Sequence, residues 1–459
     1  MISDSTPLAG RRSPAATAAL IDAPDGRRVS RFRIEGGTHV GSIGPPEGQV
    51  IERAVRHAIN FGIPLVGIIA SSGADIAEGI PSLHAWGRVA KSLADASGVV
   101  PTLLAVIGPC VSGPALLLGI ADVVVFTEDA FAYVTGPETV RSFTGITVDH
   151  RELGGTWAHD RRSGVASLVV PDEEHALEAI WAVLEYLPSH HLDDPPRADV
   201  GDPVDRSCDV ATAAMPARAT ASYDVRTVID DVVDRHSRLE LRPNYAPNLV
   251  TALARLDGRP VGIVANQPQQ RAGSLDIEAS EKAARFVQWC DCFNLPLLTL
   301  VDTPGFEPGK DLEWRGMIRH GAELVYAYGD ATVPRLCLVL RKAYGGAYIV
   351  MDSKGLGNDW CGAWPTAEIA VMGAPGAVQI LSGRSLQEIT DPDARLAEQR
   401  RLESEYEERF SNPYVAAERG YVDDVFPAAD TRRILASTLE HLLTKREVRP
   451  ARRHGSSPL

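Results

Sequence analysis

Cysteine is scarce in this 459-residue chain: Cys110, Cys208, Cys290, Cys292, Cys337 and Cys361 are its six, scattered and never spaced as CxxC. That pattern supports neither a disulfide framework nor a zinc ribbon, and it makes a reducing cytoplasm the expected compartment, with no bound metal. Positive charge is short as well. With 46 Lys and Arg against 60 Asp and Glu the net charge is −14, which argues against a grip on nucleic acid or on an anionic membrane. No GxxxxGK[ST] loop occurs, so the run Asp302-Thr303-Pro304-Gly305 is not read as a nucleotide switch. A long apolar run is missing too. Leu103 to Phe126 comes nearest, but Pro109, Ser112, Gly113 and Pro114 break its middle and Asp122 lies inside it. A buried strand, a tight turn, a helix and a second strand fit that stretch better than a membrane span. Residues 1–27 lack the apolar segment of a secretory signal and read as a disordered tail.

What is present is ordinary globular material, 44% hydrophobic and 23% charged, enough for two or three packed cores at about 150 residues each. Apolar runs recur between helical patterns at Leu65 to Ala70, Thr102 to Ile107, Val123 to Phe126, Val261 to Ala265, Leu295 to Val301, Leu336 to Leu340 and Ile369 to Met372. Strands of continuous hydrophobicity separated by helices predict α/β layers covered on both faces. From Pro188 to about Ser222 the composition turns to Pro, Asp, Arg, Ala and Ser, which reads as a linker between two halves.

The halves resemble each other. Adding 232 to Ile63-Pro64 gives Leu295-Pro296, and the strand that ends in Ser71-Ser72-Gly73 falls on one that ends in Thr303-Pro304-Gly305. At a spacing of 233, Val100-Pro101 falls on Val333-Pro334 and Ser112-Gly113 on Gly345-Gly346. Two strands and two small-residue turns in register mark an internal duplication. A strand ending in Gly or Ser and feeding a helix leaves backbone N–H groups unpaired where an oxyanion can sit. Two such turns converging make an oxyanion hole for an enolate, at about 2.7 to 4 kcal/mol per donor. Small residues that merely let helix pack on strand are the alternative explanation, and the duplication weakens it.

These residues carry a family resemblance. GIIASSGADIAEG followed by VIGPCVSGPALLLGIADVVV resembles the crotonase superfamily. VDTPGFEPGKDLEWRGMIRHGAELVYAYGDATVP, LRKAYGGAYIVM, AWPTAEIAVMGAPGA and NPYVAAERGYVDDV resemble the carboxyltransferase (β) subunit of biotin-dependent acyl-CoA carboxylases, and the likeness runs from about residue 28 to 440. The resemblance implies an α/β fold of two tandem crotonase-like ββα-superhelix lobes, an acyl-CoA lobe at 28–187 and a carboxybiotin lobe at 223–445, with a linker at 188–222 and a tail at 446–459. It implies backbone donors at Ser112, Gly113, Gly346 and Ala347, acyl-CoA contacts at Gly73, Ala74, Gly108 and Gly136, and biotin contacts at Gly305, Phe306, Tyr344 and Gly345. Ile349 takes the place that helps to set acyl-chain choice. The implied cofactor is carboxybiotin carried on a partner, the biotin carboxylase and biotin carboxyl carrier (α) subunit. A homo-oligomer, dimer or hexamer, is implied as well, with the acyl-CoA lobe of one copy working with the carboxybiotin lobe of a second.

The chain departs from the family's usual pattern in its first lobe. Gly108-Pro109-Cys110-Val111-Ser112-Gly113-Pro114 stands where the β subunits read GPCAGGA, and Pro114 has no N–H to donate. Asp75 replaces an arginine and GGTHVGSIGPPEG stands at Gly36 to Gly48 in place of a GGSLGE-like stretch; the helical segment that usually precedes the lobe is expected to be missing. The alternative readings are a decarboxylase of the same family, which runs the same chemistry backwards, and a silent β-like scaffold, which the Ser112 and Pro114 changes favour. Other signals are bland: His190-His191 with Asp193-Asp194 reads as solvated linker, Glu138 as a carboxylate at a helix start, and Arg341-Lys342 as solvated charge or as a reach toward phosphate or carboxylate. A crotonase-type hydratase is disfavoured because Leu116 stands where its carboxylate belongs.

Neither a nucleotide loop nor a Met-Lys biotinylation dipeptide is present. The purified chain given ATP, bicarbonate and acyl-CoA should therefore fix no carbon, as read by incorporation of labelled bicarbonate; incorporation by the single chain would contradict this reading.

Overall fold

Strands β1 (Ala16–Asp22), β2 (Arg28–Ile34), β3 (Leu65–Ser71), β4 (Thr102–Val111), β5 (Val123–Thr127), β6 (Phe131–Tyr133) and β7 (Leu168–Val170) build one sheet. Strands β8 (Leu239–Leu241), β9 (Leu249–Leu256), β10 (Arg259–Asn266), β11 (Leu297–Thr303), β12 (Arg335–Tyr344), β13 (Trp360–Ala363), β14 (Glu368–Ala370) and β15 (Asp424–Val425) build the other. The computed structural model describes residues 15–36, 41–216, 218 and 221–458. The expected tail at residues 1–14, residues 37–40 of the Gly36 to Gly48 stretch, and 217, 219 and 220 of the expected linker lie outside the described residues. The chain divides into two compact units: Met1–Pro196 with Leu241–Tyr245 and Cys292–Asn294, and the remainder.

Continuous apolar sequence makes β3 to β5 and β9 to β12 buried along most of their length, as strands covered on both faces require. Gly67 in mid-strand is a packing device, because a Cβ there would lie 2.3 Å from the Phe32 ring. The helix Pro45–Phe61 covers β2 and packs against the helix Ile80–Ala96 at Gly48, where a Cβ would come within 2.9 Å of that of Ala85. Gly62, at φ 60°, ends the first of these helices in the left-handed conformation that such caps favour.

The duplication is visible in the pairing. In the first sheet β1 runs antiparallel to β2, then β2–β3, β3–β4, β4–β5 and β5–β7 are parallel, with β6 added to the far half of β4. The second sheet repeats this with β9, β10, β11, β12, β13 and β15, and β14 on the far half of β12. Even the irregularities coincide. The β3–β4 register shifts between Ile69 and Ser71, and the β11–β12 register between Val301 and Thr303, both at an offset of 232.

Two boundary expectations need correction. Residues 16–22, expected within the tail, form β1; as an edge strand it buries only Ala16 fully, so it carries no apolar run to announce it. The expected linker contains the helix Asp209–Ala214, whose Ala211 is fully buried with neighbouring Cys208 in the core of the second unit. Charge anchors the same stretch. Arg206 bonds Asp202 at 2.9 Å, and the fully buried Arg432 pairs with Asp234 at 2.6 Å while donating to the carbonyls of Pro203 at 2.9 Å and Val232 at 3.1 Å.

Arg432→Leu leaves the buried Asp234 without its cation and should cost about 3 kcal/mol of stability, the lower end for a broken buried pair because Asp234 keeps two backbone donors. Chemical denaturation measures this; a loss under about 1 kcal/mol would show that the pair does not anchor the segment.

Candidate active site

Both turns of the first unit sit where neighbouring parallel strands end. After β3 the chain passes through Gly73 to Ala74, which bridges to Ile43: Ile43 N–H donates to the Gly73 carbonyl at 2.8 Å and Asp75 N–H to the Ile43 carbonyl at 3.1 Å. Residues alternate along a bridge, so the N–H of Ala74 points away from Ile43. After β4, Ser112 turns the chain at φ 65° and ψ −150°, and the short turn Gly113–Leu116 follows. The two turns are adjacent, since a Cβ built on Gly73 would lie 3.0 Å from the Ser112 Cβ.

The second unit repeats this with Phe306 bridged to Leu275. Leu275 N–H reaches the Gly305 carbonyl at 3.1 Å and Glu307 N–H the Leu275 carbonyl at 2.8 Å, which turns the Phe306 N–H outward. Gly345 takes the place of Ser112 at φ 60°, and the helix Gly345–Val350 begins there without a capping side chain. A Cβ on Gly346 would meet the Phe306 ring at 3.6 Å, ordinary van der Waals contact. The duplicated frame extends upstream: Gly41 and Gly273, 232 apart, both have positive φ, and a Cβ on either would lie 2.0 Å from the Ala70 carbonyl oxygen or 2.4 Å from that of Asp302.

The donor expectation for the first unit is corrected by one bond. Ser112 N–H donates to the Tyr133 carbonyl at 2.9 Å, because β6 continues alongside the end of β4, and it is therefore not offered to a ligand. With Pro114 lacking an N–H, the second turn there presents Gly113 alone, whereas its counterpart presents Gly346 and Ala347.

Beneath the second unit's turns lies a polar clamp that the sequence did not reveal. Asp302 accepts from Arg341 Nε at 3.0 Å and from Lys342 N–H at 3.2 Å, and its own N–H reaches Asn266 Oδ1 at 3.2 Å. Asn266 Nδ2 in turn donates to the Gly273 carbonyl at 3.2 Å. Burial pushes the Asp302 carboxyl above its ordinary range, and Arg341 pulls in the opposite sense. Arg341 is thus neither solvated nor free to reach a ligand; it is buried, and it also donates to the Ala221 carbonyl at 2.7 Å. The signal available was the offset itself, which sets Asp302 on Ala70 and Arg341 on Gly108.

The remaining expected residues fall around these turns. Gly108 lies on β4, where a Cβ would come 3.2 Å from that of Ala70, and Gly136 precedes the helix Pro137–Thr144 beside Tyr133. Tyr344 closes β12 with its hydroxyl on Glu368, and burial raises its pKa. Ile349 is 44% exposed on the helix that Gly345 begins. Asp75 accepts from Ala77 N–H at 3.0 Å and caps the short turn Ile76–Glu78. Glu138 pairs with Arg141 at 2.6 Å and His190 with Asp193 at 3.3 Å. Among the described residues no three His, Cys, Asp or Glu side chains are grouped to hold a metal, and no helix is long and apolar enough to cross a membrane.

Two such units in tandem, each with paired outward N–H turns, define a two-domain crotonase-like carboxyltransferase. The carboxyl transferase domain model matches residues 21–457, and the chain belongs to that family, among the biotin-dependent acyl-CoA carboxyltransferases. It is 45% identical over 436 residues to the propionyl-CoA carboxylase carboxyltransferase subunit of Haloferax mediterranei, covering 95% of this chain and 84% of the relative. It is 40% identical over 436 residues to the methylmalonyl-CoA decarboxylase subunit alpha of Veillonella parvula, with the same coverage of 95% and 84%. Among solved structures it resembles the transcarboxylase 12S hexamer with methylmalonyl-coenzyme A and methylmalonic acid bound, at a TM-score of 0.93 and 41% identity over 97% of this chain and 85% of that one.

Gly113 and Gly346 should respond oppositely to alanine. A Cβ on Gly113 would stand 2.7 Å from the rigid Trp86 ring, so Gly113→Ala loses stability, whereas Gly346→Ala has room and gains up to about 1 kcal/mol of helix propensity. Thermal melting of both variants checks this, and equal shifts would refute it.

Proposed function

We propose that the chain moves a carboxyl group between carboxybiotin, carried by a biotin carboxylase and biotin carboxyl carrier partner, and the α-carbon of a short acyl-CoA thioester. The observation that carries the reading is the pair of outward N–H turns present twice, at Ala74 with Gly113 and at Phe306 with Gly346 and Ala347. The reaction needs two oxyanion sites, one for the enolate of the thioester and one for the ureido oxygen, and each lobe offers one.

In this reading the first lobe receives the thioester. Ala74 and Gly113 donate to its oxygen as negative charge grows there, each well-aimed donor contributing about 2.7 to 4 kcal/mol. The second lobe receives the biotin ring over Gly346, beside the Phe306 ring, where a side chain at Gly346 would occupy the approach. When bound, carboxybiotin supplies the CO2 and, after releasing it, a basic nitrogen. The rest is proximity: holding the reacting atoms about 3 to 3.5 Å apart replaces an encounter in solution.

The substrate class we favour is propionyl-CoA with its methylmalonyl-CoA product. The named Haloferax mediterranei relative and the methylmalonyl-coenzyme A in the transcarboxylase structure support it, as does the apolar Ile349 at the acyl-choice position. The Veillonella parvula relative supports a second direction, decarboxylation, which uses the same donors in reverse. We further propose a cytoplasmic homo-oligomer, supported by the hexameric neighbour and by six cysteines that are all free thiols.

The test supplies methylmalonyl-CoA and free biotin to the purified chain and follows biotin-dependent formation of propionyl-CoA. Gly346→Val should fold like wild type and transfer about 100-fold more slowly. Transfer within threefold of wild type would remove this turn from the mechanism.

A further inference from the structure

The two second turns share a residue of positive φ and differ in chemistry. In the carboxybiotin lobe Gly345 takes the positive φ of 60° and is followed by the N–H groups of Gly346 and Ala347. In the acyl-CoA lobe the positive φ of 65° falls on a serine, a conformation that glycine adopts freely and serine adopts only under strain. The strained serine is followed by one N–H, at Gly113, and then by Pro114.

Three observations bear on the Ser112 side chain. Its backbone is pinned, since its N–H is held by the Tyr133 carbonyl at 2.9 Å. Its side chain stands over the neighbouring turn, with Cβ 3.0 Å and Oγ 3.8 Å from where a Cβ on Gly73 would be, one residue before the outward N–H of Ala74. Ser112 is exposed, and no hydrogen-bond partner of its hydroxyl is found among the described residues. A hydroxyl is a donor that rotates to suit its acceptor.

We propose that Ser112 is a catalytic residue of the acyl-CoA lobe, whose hydroxyl donates to the thioester oxygen as the enolate forms and so replaces the donor that Pro114 cannot supply. The inference rests on the carboxyltransferase reading above. It explains why a strained serine occupies a position that glycine would fill without penalty: the hydroxyl is worth more to the transition state than the strain costs the fold.

The experiment compares Ser112→Ala and Ser112→Gly with the full-length wild-type chain by melting, by calorimetric binding of methylmalonyl-CoA, and by biotin-dependent propionyl-CoA formation. Ser112→Gly should melt higher than wild type because the strain is relieved, bind the thioester within about twofold, and turn over on the order of 10- to 100-fold more slowly. Ser112→Ala keeps the strain and should show the same loss of kcat without the gain in melting temperature. A merely structural serine would make the more stable variant at least as active, so kcat within twofold of wild type in either variant overturns the proposal. Absence of thioester binding by the wild-type chain would instead overturn the carboxyltransferase reading, and this inference with it.

Discussion

A two-residue irregularity between neighbouring parallel strands is the constraint on which both sites depend. Between β3 and β4 the partners step from Ile69 with Val106 to Ser71 with Cys110, so β4 advances four residues while β3 advances two. Between β11 and β12 they step from Val301 with Val339 to Thr303 with Ala343, the same slip. The extra residues swing each long strand off one neighbour, β5 or β13, and onto another, β6 or β14. A strand that ended flush with its neighbours would bury its last N–H groups in the ladder. The slip carries the strand end out of the sheet, where a residue of positive φ turns the chain and the next N–H groups have no strand opposite them.

The two lobes hold this slip by different means. In the second, Asp302 and Arg341 face each other across β11 and β12, and the carboxylate also receives Lys342 N–H, which fastens the bulged segment of β12. In the first, Ala70 and Gly108 occupy those places and meet as small apolar neighbours. A buried ion pair adds little net stability, because desolvation cancels most of the attraction. What the pair does add is register: any other alignment of the two strands leaves a buried carboxylate and a buried guanidinium unpartnered, at a cost of several kcal/mol. The apolar version tolerates other alignments more easily, and there the neighbours meet by close approach alone, with a Cβ on Gly108 3.2 Å from that of Ala70, whereas the glycine set against the strand-end carbonyl, Gly41 or Gly273, is common to both lobes.

The strands that matter were legible because they are apolar throughout, and the duplication was legible because small residues at 71–73 and 112–113 recur at a fixed offset. What escaped the sequence lacked that kind of signal. Strand β1 lies at an edge with most of its residues exposed, so composition alone gave it to the tail. The helix Asp209–Ala214 buries one alanine beside a cysteine, and the flanking Pro and Asp residues concealed it. Arg341 looked like surface charge because its partner lies 39 residues away on another strand. The Ser112 N–H looked available because a single chain of letters does not show that β6 returns beside β4 to accept it.

Helix dipoles do little at either turn, and this makes the individual donors count. The segment after Ser112 is a short turn, Gly113–Leu116, running on into a helix only to Ile120, and the helix after Gly345 runs only to Val350. A macrodipole needs aligned peptides over several turns, and segments this short supply mainly their first free N–H groups. In the proposed mechanism, stabilisation of an oxyanion is therefore a sum over a few identifiable hydrogen bonds, Ala74 and Gly113 on one side and Phe306, Gly346 and Ala347 on the other. In such a set a proline at one position is no minor change, because it removes one contribution outright and no longer-range field makes up the difference. On the proposed mechanism, whatever rate the first lobe sustains has to come from the remaining backbone donors and from the side chain proposed beside them.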